Sequence, residues 1–227
     1  MPRRLPVLAL SLLLAGCTIT PGGLSEQQLS SALPSAAEVG SGWTLVGTTS
    51  DRPQGLTWDD ALTEAASDEP ACHAALTELE ALQEQADAAR FARSVYREPT
   101  TGAGSDRDLT LTLETFDTVP DRATAVREMT QACADTSSPL RTRAGVRRVT
   151  MTVSPLPTPD ARSAGYAVHY QTDDLEYSFD YLVASRDRAL VTATVTGPSS
   201  EANRQLLQQM VTLAAGNLDR ARGGQPT

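Results

Sequence analysis

Ser178, His169 and Asp180 are the residue types of a nucleophile, a base and an acid, and alternation along the chain offers them a common surface. Polar and apolar side chains alternate through Val168–Gln171, Glu176–Asp180 and Val191–Thr196. In adjacent strands this period of two sends His169 and Gln171, then Glu176, Ser178 and Asp180, then Thr192, Thr194 and Thr196 to one face. His169, Ser178 and Thr196 would then stand in a row. A Ser-His-Asp hydrolase also needs an oxyanion hole and a serine exposed on a strained strand-to-helix turn. A flat sheet face offers neither, so acyl transfer is the weakest use of these groups. A polar ligand-binding face suits them better, with His169, Gln171, Ser178, Asp180, Thr194 and Thr196 as candidate contacts. The competing account is the solvated side of a one-sided antiparallel sheet.

Other chemistries find less support. The acidic run Asp173, Asp174 and Glu176 lacks the length and the glycine of a calcium loop such as an EF-hand. His73 and His169 are too far apart in sequence for a zinc spacing. All 19 basic residues are arginine, so a Walker A lysine and a Schiff-base amine are both ruled out. Gly102-Ala103-Gly104 sits among turn formers and predicts a flexible turn. No metal or cofactor is expected. A net charge of -9 disfavours nucleic acid as a partner.

The elements that would position these residues follow from periodicity. Residues 70–85 place Cys72, Ala75, Leu76, Leu79 and Leu82 on one helical stripe, opened by Pro70. Residues 120–135 repeat the design with Ala123, Val126, Met129 and Cys133. A third helix is expected over 200–217, with Ala202, Leu206, Met210, Leu213 and Ala214 inward, and a short turn of helix near Ser35–Val39. Strands are expected where Leu109, Leu111 and Leu113, and then Val149, Met151 and Val153, alternate with polar residues. Segments 44–48 and 89–98 are weaker candidates.

Turn lengths fix the register of the last three strands. A two-residue turn at Asp173-Asp174 pairs Tyr170 with Tyr177, Val168 with Phe179 and Tyr166 with Tyr181. A three-residue turn at Arg186-Asp187-Arg188 then sets Val183 against Val191, Tyr181 against Ala193 and Phe179 against Val195. All of these would share one buried face. The expected class is α+β: an antiparallel sheet with two or three helices packed on one face. Trp43 and Trp58 are expected to pack at the edge of that core or to line a groove.

The N-terminus fixes where such a domain would work. Arg3 and Arg4 precede an apolar run, Leu5–Leu14, that is too short to span a bilayer. The Leu14-Ala15-Gly16-Cys17 sequence that ends it resembles a bacterial lipobox. That resemblance implies diacylglycerol and further acyl chains such as palmitate on Cys17, after removal of residues 1–16. Several acyl chains hold a soluble domain firmly on a membrane. The expected organisation is a signal peptide over 1–16, a lipidated tether over 17–31, one domain over 32–219 and a flexible tail over 220–227. Cys72 and Cys133 remain, and outside the cytoplasm a disulfide is the default for such a pair. A reactive thiol or a metal site has less support, since adjacent Cys72 and His73 diverge on a helix.

The order of elements carries a broader resemblance. Leu33–Trp43 (Leu-Pro-Ser-Ala-Ala-Glu-Val-Gly-Ser-Gly-Trp) leads to a cysteine-bearing helix and a strand. Pro120–Ala125 (Pro-Asp-Arg-Ala-Thr-Ala) opens a helix ending in Ala132-Cys133-Ala134, followed by strands and a last helix. This resembles actinobacterial lipoproteins related to the extracellular sensor domain of PknH-type serine/threonine kinases. The resemblance implies an α+β sensor-like domain with a cleft and no catalysis. Members commonly carry two disulfides, whereas one is available here. The expected function is non-enzymatic: a lipid-anchored domain on the outer side of the cell membrane that binds a small envelope-derived ligand or an envelope protein. A lipid carrier would instead need an apolar cavity.

Overall fold

The computed structural model describes residues 24–50, 66, 69–85, 88–99, 106–134, 141–142, 145–146, 150–171, 176–198 and 201–223. Cys17, Trp58, the Gly102-Ala103-Gly104 segment and the expected Asp173-Asp174 turn lie outside them. The helices are α1 (Glu26–Ala32), α2 (Ala36–Val39), α3 (Pro70–Gln85), α4 (Arg122–Ala132) and α5 (Glu201–Gly223). The long strands are β1 (Thr44–Thr49), β2 (Arg90–Glu98), β3 (Arg107–Thr115), β6 (Thr150–Pro155), β7 (Ser163–Gln171), β8 (Glu176–Arg186) and β9 (Ala189–Gly197). They form one antiparallel sheet in the order β1-β2-β3-β9-β8-β7-β6, and the two-residue strands β4 (Arg141–Thr142) and β5 (Gly145–Val146) pair separately.

The α+β class and the disulfide are as the sequence predicts. Cys72 of α3 and Cys133, at the end of α4, are bridged with their Cα atoms 4.7 Å apart. Both sulfurs lie in a core that includes Leu76, Leu79, Val126 and Met129. Asp121 caps α4 by accepting from the Thr124 N–H at 3.1 Å. Arg122 fixes the start of that helix to the sheet. Its guanidinium donates to Glu114 of β3, both side chains buried, and lies 5.7 Å from the Phe116 ring centre.

The sheet is covered on both sides, which corrects the expectation of a single apolar face. α3 and α4 belong to the core built on Tyr166, Val168, Phe179, Tyr181 and Val183. α1, α2 and α5 belong to the core on the opposite face, with Leu109, Leu111, Leu113, Leu182, Ala193 and Val195. Two cystine-linked helices thus share one face, and the long C-terminal helix lies on the other. α5 turns Leu207, Met210, Val211, Ala214 and Leu218 inward, whereas Ala202 is exposed.

The β7–β8 register is the expected one, pairing Tyr166 with Tyr181, Val168 with Phe179 and Tyr170 with Tyr177. The β8–β9 register is not. Arg186 pairs with Ala189, leaving a two-residue turn in which Asp187 takes a φ of 48°. Val183, Tyr181 and Phe179 therefore oppose Thr192, Thr194 and Thr196. A one-residue shift exchanges the faces of a whole strand. It joins Val191, Ala193 and Val195 to Leu113, Leu111 and Leu109 of β3, under α5.

Both expected domain boundaries move outward. Leu24, Leu29 and Ala32 are buried, and α1 packs on α5 and β2, so the folded body includes residues assigned above to a tether. At the other end α5 continues to Gly223, four residues into the expected tail, with Arg222 paired to Asp187. The N-terminal segment is held by apolar burial that composition alone does not reveal.

Replacing both cysteines by alanine tests the clasp. The separation of 61 residues predicts a loss of roughly 4 kcal/mol of unfolding free energy in the chain-entropy picture. Urea titration of the oxidised protein and the double variant measures it, and a difference near zero would show that the bridge is a bystander.

Candidate functional site

The β7–β8 hairpin brings four of the expected residues to one face. His169 pairs directly with Ser178, Gln171 with Glu176, and Ala167 with Asp180. Side chains directly opposite one another in an antiparallel pair have Cβ atoms about 5 Å apart, and diagonal neighbours about 7–8 Å. His169, Ser178 and Asp180 therefore form one patch. Gln171 and Glu176 are exposed at its outer edge, His169 is half-buried, and Ser178 and Asp180 are 0% and 1% exposed.

Thr194 and Thr196 do not join this patch, which corrects their expected place. The two-residue β8–β9 turn puts Gly197 beside Ser178 and Val195 beside Asp180. Thr194 and Thr196 point to the other face, where Thr194 opposes Thr110 and Thr196 opposes Asp108 of β3. The expected row of His169, Ser178 and Thr196 is thereby broken.

Arg204, in the first turns of α5, takes the place the threonines leave. Its charge acts on both His169 and Asp180, while its Nη1 donates to Glu201 Oε2 at 3.0 Å. Periodicity could not single it out, because its proximity depends on which face α5 covers.

Burial sets the electrostatics. Asp180 loses hydration, which raises its pKa to about 6 against the opposing pull of Arg204 and, more weakly, of Ser178. Burial also lowers the pKa of His169, Arg204 adds to that shift, and Glu176 opposes it. The charged imidazolium of His169 is thereby disfavoured. Asp180 Oδ1 and Ser178 Oγ are buried and make no hydrogen bond among the described residues. Ser178 is near enough to Asp180 to favour its charged form without hydrogen-bond geometry. Unsatisfied buried polar atoms cost about 1–3 kcal/mol each, so a pair of them calls for an explanation.

The arrangement can accept and donate hydrogen bonds. Base-assisted attack needs the serine hydroxyl bonded to the imidazole. Ser178 Oγ makes no such bond. No group of three or more His, Cys, Asp or Glu side chains that could hold a metal ion occurs among the described residues. Trp43 is buried, with Arg107 5.3 Å from its ring centre, and belongs to the core.

These features define a disulfide-closed α+β domain with a polar cluster at one end of its sheet. The fold is shared with the extracellular domain of PknH from Mycobacterium tuberculosis, at a TM-score of 0.58 and 11% identity over 87% of this chain and 97% of that domain. A putative uncharacterised protein of Mycobacterium smegmatis, the Rv0999 ortholog, aligns over 80% of this chain and 97% of its own at 15% identity, with a TM-score of 0.36. No family model matches the chain, and no curated protein is similar to it in sequence. The PknH-like fold is therefore held by pattern and packing, not by matching residues.

Asp180→Asn tests the ionisation. A carboxyl with a raised pKa favours folding most below the unfolded value, and that contribution falls as pH rises towards about 6. Near pH 7 the charged group costs on the order of 3 kcal/mol. Asp180→Asn should raise the melting temperature at pH 7.5 and match the parent near pH 4. An equal or lower melting temperature at pH 7.5 would show that Asp180 is satisfied in solution.

Proposed function

We propose that this chain is a lipid-anchored, extracytoplasmic, non-catalytic domain that binds a small polar ligand at the His169–Ser178–Asp180 cluster beside Arg204. The observation that carries this reading is the pair of buried, unsatisfied atoms, Asp180 Oδ1 and Ser178 Oγ. A polar cluster kept at a cost to stability is a common mark of a binding site. A hydroxyl or amide of a ligand would supply the missing bonds, and Gln171 and Glu176 at the outer edge would orient it.

The anchoring part rests on the lipobox-like sequence ending at Cys17. A buried cystine suits an oxidising compartment, in keeping with export. The likeness to a kinase extracellular domain supports a sensor-like role without catalysis. No helix among the described residues is long and apolar enough to cross a membrane. The acyl chains at Cys17 would therefore be the attachment.

Native mass spectrometry of the full chain, released from membranes in detergent, tests both parts. The expected protein begins at Cys17, carries acyl mass there, and retains a small polar molecule that the Asp180→Ala variant loses. An unacylated chain beginning at Met1 overturns the anchor. A second lipid bound non-covalently in place of a polar molecule overturns the ligand class.

A further inference from the structure

The way the chain enters its fold gives the sheet a near end and a far end. Leu24 is buried, and its carbonyl accepts from Arg90 Nη1 at 2.9 Å, so the polypeptide joins the body at the start of β2. Antiparallel pairing brings Thr115, Ala189 and Arg186 to the same end. α5 finishes there as well, with Arg222 Nη1 2.9 Å from Asp187 Oδ2. The polar cluster lies at the opposite end, where β7 finishes and β8 begins.

Only residues 18–23 separate Cys17 from Leu24. Seven residue steps span at most about 24 Å whatever their course. A nine-residue strand is about 30 Å long, so the leash is shorter than the sheet. A body held this way cannot turn its far end to the membrane without drawing its entry point a full strand length away.

The charges of the two ends differ. At the near end Arg186, Arg188 and Arg222 pair with Asp160, Asp117 and Asp187. Arg90 and Arg162 make no ion pair among the described residues, Asp121 is engaged as a helix cap, and Glu26 stands exposed two residues after Leu24. Arg127 donates to the Ala161 and Ser163 carbonyls, and Asp219 and Arg220 offset each other in the last turn of α5. At the far end the acids Glu98, Asp106, Asp108, Glu176 and Glu201 outnumber Arg97, Arg107 and Arg204. The overall charge is negative, yet the end beside the anchor is close to charge balance and carries Arg90 and Arg162, which make no ion pair among the described residues.

We propose that this near end rests on anionic phospholipid headgroups, through Arg90, Arg162, Arg186 and Arg188, and holds the His169–Ser178–Asp180 cluster outward from the membrane. The proposal rests on the lipid-anchored reading above. Guanidinium groups bind phosphate in a two-pronged geometry, and exposed arginine–aspartate pairs are weak enough for a phosphate to compete. The acidic far end is repelled by the same surface.

Energy transfer from the acylated full chain in vesicles tests this orientation. Donor dyes at Pro159→Cys, at the near end, and Pro99→Cys, at the far end, both on exposed residues, report on acceptor-labelled headgroups. In vesicles of phosphatidylcholine with phosphatidylglycerol, transfer from residue 159 should exceed that from residue 99 by at least about twofold, given ends about 30 Å apart. Arg162→Glu with Arg188→Glu should shrink that ratio, as should vesicles of phosphatidylcholine alone. Equal transfer from both positions in the anionic vesicles overturns the orientation while leaving the anchor standing. No transfer from either, with the protein free in solution, overturns the anchor and the orientation with it.

Discussion

Strand β8 has to be apolar on both sides, and most of the architecture follows from that constraint. Phe179, Tyr181 and Val183 face the cystine-linked helices, while Leu182 and Ala184 face the C-terminal helix. A strand with water on one side would need neither pair of layers. Because both are present, every polar group on β8 between Ser178 and Ala184 must be desolvated, and Asp180 is the residue that bears the consequence. Its raised pKa belongs to the same physics that holds the layers together.

Local pairing was legible in the sequence, and the choice of face was not. The β7–β8 register is recoverable from alternation together with a two-residue turn length, which between them leave its tyrosines and Phe179 one pairing. His169, Gln171, Ser178 and Asp180 lie on that hairpin, so their company could be foreseen. Thr194 and Thr196 sit one turn further on, and each added turn multiplies the registers that alternation permits. Asp187 adopts a left-handed backbone that shortens the turn by one residue, which a count of hydrophobic positions does not reveal. The unbroken run Tyr181-Leu182-Val183-Ala184 was the available signal, because continuous apolarity marks a strand covered twice.

Helices followed the same division. The two cysteine-bearing stripes were plain, as a period near 3.6 survives without knowledge of partners. The inward face of α5 was displaced from expectation because Leu206 and Leu207 are adjacent, and the surface it covers decides between them. Arg204 remained hidden for that reason. Leu24 and Leu29 were equally hidden, since a short helix next to a glycine pair resembles a linker until its two leucines find a core.

The strand order β1-β2-β3-β9-β8-β7-β6 contains two meanders that meet along a single ladder, β3 with β9. Within each meander, neighbours in space are neighbours in sequence, so their closure entropy is small. The seam joins Thr115 to Ala189 across the whole middle of the chain. Such a contact forms slowly, because a long loop must close before any of its bonds can stabilise it. The cystine straddles the start of that loop: Cys133 lies within it, whereas Cys72 lies between β1 and β2, so the bridge ties the crossover of the first meander to the helix that covers the second. Oxidation leaves the closure of the seam to the chain itself and shortens instead the path from β2 to the end of α4, so the clasp orders the two helices over one face before the halves of the sheet meet.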